Sequence, residues 1–230
     1  MRDPRAASPP IAWEDPSRSG ADSLFATLAS AVRPSATAPA FARPGVRPAV
    51  SFAVFVAAPL ALLAGIIPFT FTLRFEPEFV VTLLGTPAPA PAEIAIDVVR
   101  AMGISLACYA ALGLALTLPF WSLGRAYGIA GCGTSALRSM LYRAWLLPIG
   151  DAIFYLALWA APPDFAAWLA LVRALTFAPI FMLWASMVAT ARLACGAGSF
   201  VSFIVATVPF VVYFIAERLL AWGIGPFLPH

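Results

Sequence analysis

The stretch VSFAVFVAAPLALLAGIIPFTFTL, from Val50 to Leu73, contains no charged side chain and decides the class of fold. A transmembrane helix needs about 20 consecutive apolar residues to cross a hydrocarbon core of about 30 Å. In lipid, every backbone amide must find its hydrogen-bond partner inside the segment, so the segment has to be helical. The sequence therefore predicts a membrane-spanning helix here.

Apolar runs of similar length recur along the rest of the chain. They extend from about 101 to 122, from 140 to 161, from 165 to 189 and from 200 to 222. The chain is 62 % hydrophobic and 11 % charged, whereas a soluble domain carries about 25 % charged residues. We therefore predict an all-α, polytopic membrane helix bundle with five transmembrane helices over residues 49–225.

The amino-terminal tail, residues 1–48, is rich in Pro, Ala, Ser and Arg. Such a composition cannot bury enough apolar surface to offset chain ordering, so we expect a cytoplasmic, mostly disordered tail. One island has apolar residues at helical spacing, namely Leu24, Phe25, Leu28, Ala29 and Val32. It predicts a short amphipathic helix near 22–32, which either lies on the membrane surface or forms transiently.

Charge distribution predicts the orientation. Arginines lie in the tail and in the second and fourth connections, whereas the first connection is mainly acidic. Because positive residues remain on the cytoplasmic side, we expect a cytoplasmic N-terminus and an extracytoplasmic end at residues 226–230. The net charge of +3 is interpreted as this topology signal, and no nucleic-acid partner is predicted. The Ala- and Arg-rich composition without lysine is typical of a GC-rich bacterial genome, so the expected location is the cell (inner) membrane.

Two charged residues fall inside predicted spans: Asp151 in the third helix and Arg173 in the fourth. The connection Pro162-Pro163-Asp164 forces these helices into a tight antiparallel hairpin, in which the two residues lie at similar depth. We predict that they form a buried intramembrane ion pair. The pair either fixes the register of the two helices or takes part in ion or substrate passage.

Few residues could carry out chemistry. The only histidine is His230, and Cys108, Cys132 and Cys195 lie in or beside apolar stretches without neighbouring histidines, as structural or inert thiols do. The glycine-rich stretch 128–135, GIAGCGTS, lacks the lysine of a P-loop and is interpreted as a flexible cytoplasmic turn. We predict no enzyme activity, no catalytic residue, no cofactor and no metal site.

Small residues at four-residue spacing predict the faces on which helices pack in lipid. The three candidate faces are Ala53, Ala57, Ala61 and Gly65; Gly103, Ala107, Ala111 and Ala115; and Ala166, Ala170, Ala174 and Ala178.

Three segments together resemble the Yip1 family of five-span membrane proteins, in particular its bacterial members. Trp13-Glu14-Asp15 followed by SLFATLASAVRPSATAPAFARP (23–44) is similar to the family's cytoplasmic lead-in. GCGTSALRSMLYRAWLLPI (131–149) is similar to its Gly-rich loop and following helix, and WASMVATARLACGAGSFVSFIVATVPFVVYFI (184–215) to its closing pair of helices. The resemblance implies five spans, a cytoplasmic N-terminus and no known catalytic residues. The Asp-Leu-Tyr-Gly-Pro stretch of eukaryotic members is not found, so their Rab-GTPase and vesicle-trafficking role is not transferred.

The leading hypothesis is a non-enzymatic integral membrane protein of Yip1 type that acts through helix-mediated protein contacts or membrane organisation. Its expected partners are the lipid bilayer and either a membrane protein or a second copy of the chain. The alternative is a small transporter or channel subunit that uses Asp151 and Arg173. An odd number of spans disfavours the two equal inverted repeats of many transporters.

Overall fold

The part of the chain that is described folds into helices and contains no β-strand. The computed structural model describes residues 10–30, 33–75, 91–129, 131–159 and 165–224. The tail contains a 3-10 helix (Ala12–Glu14), α1 (Gly20–Ser30), α2 (Pro34–Thr37) and a second 3-10 helix (Ala38–Ala42). The body contains α3 (Arg47–Phe52), α4 (Ala58–Phe75), α5 (Pro91–Ala126), α6 (Cys132–Arg143), α7 (Leu146–Trp159), α8 (Phe165–Ala189) and α9 (Ser199–Ile224), with π-helical turns at Ala53–Ala57 and Thr190–Ala194.

Four helical stretches in the described residues are long and apolar enough to cross a membrane. They are Arg47–Ile67, Ala95–Ala126, Ala174–Ala194 and Ser199–Leu220. Large apolar side chains point outward along them, including Phe55, Phe181 and Ile215, each more than half exposed. A water-soluble surface would not carry so many exposed apolar side chains, whereas a lipid-facing surface does. The prediction of a multi-pass, all-helical membrane protein is thus confirmed, while a fifth span is not confirmed.

The first span contains an irregular turn whose cause is a proline. Helices α3 and α4 are joined by the π-helical turn Ala53–Ala57, which is followed immediately by Ala58 and Pro59. Proline has no N–H to donate to the preceding turn and its ring clashes with that turn. A π-turn widens the helix locally, so the helix continues across the proline.

The predicted third span is divided into two helices. Instead of one helix over 140–161, α6 ends at Arg143, a turn follows at 144–145, and α7 begins at Leu146. The predicted turn over 128–135 is also shorter than expected, because α6 already begins at Cys132. Its preceding residue, Gly131, has a φ of 71°, a backbone conformation that glycine adopts readily.

Helices α6 and α7 together run antiparallel to α8 along its whole length. The Thr190 hydroxyl donates to Ser139 Oγ at 2.9 Å, at one end of this pairing. At the other end, Trp168 Nε1 donates to the carbonyl oxygen of Ala157 at 2.8 Å. These two contacts show that α8 lies beside α6 near one end of the bundle and beside α7 near the other end.

Close backbone approach joins α4 to α5. A Cβ atom added at Gly65 would lie 2.7 Å from the carbonyl oxygen of Ala101 and 2.9 Å from Ser105 Cβ. The Ser105 hydroxyl donates to the carbonyl oxygen of Ala61 at 2.7 Å. The predicted small-residue face of the first span is therefore a packing face over Ala61 and Gly65.

The corresponding face of α5 was predicted wrongly. Its members Gly103, Ala107 and Ala111 are exposed, and α5 uses Ala101 and Ser105 towards α4 instead. Four-residue spacing of small side chains is common in an alanine-rich chain, so the spacing alone did not select the face that packs.

The tail differs from the predicted mostly disordered segment. Residues 10–30 and 33–46 lie against α3 and α6, with Ile11, Ala40 and Phe41 buried beside Phe52 and Tyr142. The indole ring of Trp13 packs edge-on against Phe52. Composition alone underestimated the order of this segment, because a few of its apolar side chains and one acidic residue contact other helices.

The predicted amphipathic helix is present as α1. Its inward side carries the polar residues Ser23 and Thr27, and the Thr27 hydroxyl accepts a hydrogen bond from the backbone N–H of Trp13 at 2.9 Å. Leu24 and Leu28 pack against the small core of the tail, whereas Phe25 is 69 % exposed. The helix is therefore held by the protein, with one aromatic side chain pointing away from it.

Candidate functional site

The densest polar chemistry in the described residues lies at the end of the bundle where α6 meets the tail. Arg138 and Arg143 of α6 are both about 1 % exposed, although arginine is almost never fully buried without a partner. Ser139 and Tyr142 lie on the same side of the helix and are also buried. We refer to these four α6 residues and the tail residues that contact them as the arginine cluster.

Arg138 is the centre of the arginine cluster. One terminal nitrogen forms an ion pair with Glu14 Oε1, and the other donates to the carbonyl oxygen of Gly45. Tyr142 Oη donates to the same Glu14 oxygen at 2.7 Å. The side chain of Glu14 is only 11 % exposed. A guanidinium and a carboxylate that are both withdrawn from water attract each other strongly, so this contact fixes the tail to α6.

Arg143 makes a different set of contacts. Its terminal nitrogens donate to the hydroxyl of Thr37 at 2.7 Å and to that of Ser139 at 3.2 Å. Its guanidinium carbon lies 4.6 Å from the centre of the Phe41 ring, within cation–π range. Neutral hydroxyls and an aromatic face thus hold this cation.

The arginine cluster lies where several spans begin or end. Gly45 precedes the start of the first span at Arg47, and Thr190, which bonds to Ser139, lies near the end of the span Ala174–Ala194. The cluster therefore ties the tail, α6 and the end of α8 together at one face of the bundle.

Sequence reasoning assigned Arg138 and Arg143 only to topology and attached no role to Glu14. One sequence pattern did indicate the cluster. Arg138 and Tyr142 are four residues apart, as are Ser139 and Arg143, and this spacing places all four on one side of a helix. The pairing with Glu14 joins residues far apart along the chain, and no local pattern indicates it.

Asp151 lies on α7 and touches α5. Tyr109 Oη donates a hydrogen bond to Asp151 Oδ2, and Asp151 is exposed on the bundle surface. The Arg173 side chain lies outside the described residues, so the Asp151–Arg173 ion pair stays a prediction. A Cβ added at Gly150 would lie 3.4 Å from the carbonyl oxygen of Thr176. With Ala157 opposite Trp168, this register puts backbone position 173 within about one turn of Asp151.

The site consists of charged and hydrogen-bonding side chains and contains few reactive groups among the described residues. No three His, Cys, Asp or Glu side chains come together as metal ligands within the described ranges. The arginine cluster contains one carboxylate, which is occupied by Arg138 and Tyr142. The arrangement neutralises the charge of Glu14 with Arg138 and so holds the tail against α6.

The fold and the site define the chain as a multi-pass helical membrane protein with a folded tail. No family model matches the chain, and no curated protein and no solved structure is significantly similar to it.

Proposed function

We propose that the chain is a non-enzymatic integral membrane protein of Yip1 type, which acts through helix-mediated protein contacts or membrane organisation. The observation that carries this proposal is the Arg138–Glu14 ion pair, because it fixes a segment outside the spans to the end of the bundle. A tail fixed in this way presents a constant surface beside the membrane, as a scaffold requires.

The surface of the tail supports a contact function. Phe25 is 69 % exposed on α1, although Leu24 and Leu28 of the same helix pack inward. An exposed aromatic side chain on an ordered helix beside a membrane is typical of contact with lipid or with a partner protein.

A fifth span over about 140–161, most of it formed by α7, completes the proposed topology. The stretch Ala95–Ala126 ends next to α6, since a Cβ added at Gly124 would meet the side chain of Cys132. The next candidate span, Ala174–Ala194, returns to the same end, where Thr190 bonds to Ser139. A crossing between these two spans is consistent with that return, and α7, a helix that runs antiparallel to α8, supports it.

The orientation we propose is N-terminus cytoplasmic and C-terminus extracytoplasmic, in a bacterial inner membrane. Arg18, Arg33, Arg125 and Arg192 lie in the tail or at the span ends beside the arginine cluster. Cationic residues at one end of the bundle support a cytoplasmic placement of that end.

Cysteine labelling tests this topology. In a variant without the three native cysteines, a cysteine at Ser17 is expected to resist a membrane-impermeant maleimide in intact cells, and one after Pro229 is expected to react. Detergent-permeabilised cells provide the control, because both positions must then react. Labelling at Ser17 alone in intact cells would overturn the orientation.

A transporter or channel subunit is the second candidate, favoured by the contact between Tyr109 of α5 and Asp151, a carboxylate inside a predicted span. An ionisable residue within a membrane span by default indicates an ion or substrate path. In this alternative Asp151 and Arg173 would exchange partners as the solute passes.

The double variant Asp151→Val with Arg173→Met separates the two functions. Under the proposed function, the protein folds, its cellular phenotype survives, and proton or solute flux in liposomes does not change. Loss of a measurable flux would favour the transporter instead. Asp97→Val with Arg100→Met is the matched control, because it removes an exposed ion pair of 3.3 Å on α5 with the same changes of residue type.

A further inference from the structure

One side of α5 is apolar along its length and ends in an unpaired cation. Leu114, Leu118, Trp121 and Arg125 follow one another at helical spacing and so lie on the same side of the helix. The three apolar side chains are each about half exposed. Arg125 is exposed as well, and it forms no ion pair with any residue in the described ranges. We refer to these four residues as the α5 face.

The length of the α5 face matches one leaflet of a bilayer. At about 1.5 Å per residue, the distance from Leu114 to Arg125 is about 16 Å along the helix. One leaflet of a hydrocarbon core of about 30 Å is about 15 Å thick. Tryptophan is enriched at the boundary between acyl chains and headgroups, which is where Trp121 would then lie. The candidate span Ala95–Ala126 ends one residue after Arg125, so the guanidinium lies at headgroup level.

A cavity opens beside the charged end of the α5 face. It has a volume of about 390 Å³ and lies between the end of α5 and the start of α6. Its lining consists of Trp121, Arg125, Ile129 and residues 131–134. A Cβ at Gly133 would lie 2.4 Å from the Trp121 ring. The absence of a side chain at Gly133 therefore lets α6 begin directly against this ring.

The backbone fixes Ile129 in the wall of this cavity. The N–H of Gly128 donates to the carbonyl oxygen of Arg125 at 3.0 Å, and the N–H of Ile129 donates to that of Gly124 at 2.8 Å. These two bonds form a Schellman motif, which ends a helix through a residue with positive φ. Gly128 has a φ of 69°, as the motif requires. The cavity thus lies beside a defined turn.

We propose that the α5 face and this cavity bind an anionic phospholipid, with its phosphate at the Arg125 guanidinium and an acyl chain along Leu118 and Leu114. A guanidinium can form two parallel hydrogen bonds with phosphate oxygens. A lipid with net negative charge complements an unpaired cation better than a zwitterionic lipid does. The proposal goes beyond the proposed function, because it assigns a ligand to residues that the scaffold role does not use. It holds for either orientation of the chain.

Competition between two lipids provides the test. The full-length protein in detergent is incubated with equimolar phosphatidylglycerol and phosphatidylcholine that carry the same acyl chains, and native mass spectrometry counts the lipids that stay bound. We expect the wild type to retain phosphatidylglycerol preferentially. Arg125→Gln should lower this preference about five-fold, which is the contribution of one arginine near a membrane surface. Arg125→Lys keeps the charge without the paired hydrogen bonds and should give an intermediate preference.

Arg192→Gln is the matched control. Arg192 is exposed near the same end of the bundle but does not line the cavity, so its loss should leave the preference for phosphatidylglycerol unchanged. A phosphatidylglycerol with a photoreactive acyl chain locates the site, since it should cross-link to the peptide that contains Leu118 and Trp121.

Four results would overturn the proposal. Equal retention of the two lipids by the wild type would mean that no anionic headgroup is selected. An equal loss in Arg192→Gln would assign the preference to overall charge. Displacement of the lipid by inorganic phosphate would show that the site takes a free anion and not a lipid. Cross-links confined to other helices would reject the α5 face as the binding site.

Discussion

The polar contact between the tail and α6 and the apolar contact between α4 and α5 are held together by different interactions. At the arginine cluster, two buried guanidinium groups meet a carboxylate, hydroxyls and an aromatic ring, and the contacts join the tail to α6. Between α4 and α5, the backbones approach closely at Gly65, and one hydroxyl bonds to a carbonyl. Lipid tails are as apolar as the side chains, so the hydrophobic effect does not drive helices together in lipid. Close packing must therefore supply the attraction between α4 and α5. At the tail, side-chain charge supplies it.

The largest effect is expected at the arginine cluster, from Glu14→Gln. The new side chain keeps the shape and a hydrogen-bond acceptor but leaves Arg138 as a buried cation without an anion. Breaking a buried pair in this way costs about 3 kcal/mol. Detachment of the tail would then increase about 100-fold, since about 1.4 kcal/mol corresponds to a factor of ten. Chymotrypsin cleavage after Phe41, which is buried while the tail is attached, followed by mass spectrometry, measures the detached fraction.

Asp15→Asn is the matched control for this change. It removes the same charge one residue along the chain, where the carboxylate is exposed and bonds to Ser17 and Arg18 at the surface. Water replaces those contacts, so the cleavage rate should stay at the wild-type value. Equal acceleration by both variants would mean that the overall charge of the tail, and not the Arg138–Glu14 contact, holds it in place.

Much of the membrane part could be predicted from sequence, because a single physical requirement governs it. An uninterrupted apolar run such as 50–73 has to be helical in lipid, and each of the four candidate spans overlaps a predicted run. The tail could not be predicted in the same way. Its order depends on Glu14 and Phe41 meeting α6, and such long-range pairs leave no periodic trace in a single sequence.

The second prediction concerns the membrane part, through Gly65→Leu. The added side chain would collide with the carbonyl of Ala101 and with Ser105, so α4 and α5 must separate. Overpacking of this kind costs about 2 kcal/mol, and the hydrogen bond from Ser105 to Ala61 would be lost as well. Thermal unfolding in detergent, followed by circular dichroism, should show a lowered midpoint.

Gly103→Leu tests whether position or glycine itself matters. Gly103 has open space around the site where a Cβ would stand, so the same substitution should leave the midpoint unchanged or raise it through better helix propensity. A loss at Gly103 equal to that at Gly65 would show that α5 uses its exposed small-residue face after all, in contact with another molecule.

The hairpin that carries Asp151 and Arg173 could be predicted in part. The sequence correctly placed the third and fourth predicted helices side by side, because a connection of three residues leaves no other arrangement, and the contact of Ala157 with Trp168 agrees. It did not predict the turn at 144–145 that divides α6 from α7, nor the bond from Tyr109 to Asp151. The bond depends on how α5 packs against this hairpin, which helical periodicity does not specify.

The smallest effect is expected from Tyr109→Phe, which removes the hydrogen bond to Asp151 and leaves the ring in place. Interhelical hydrogen bonds in membranes contribute about 0.6 kcal/mol, because the alternative state also finds partners. Tyr127→Phe, at an exposed position after α5, is the control for loss of a hydroxyl. The free energy of unfolding in detergent is measured for each variant. If Tyr109→Phe lowers it as much as Glu14→Gln does, a charged group also holds the membrane part together, and the contrast between the two regions fails. A small loss combined with altered flux in liposomes would instead give Asp151 a part in transport, since a hydrogen bond of little structural value would then control passage.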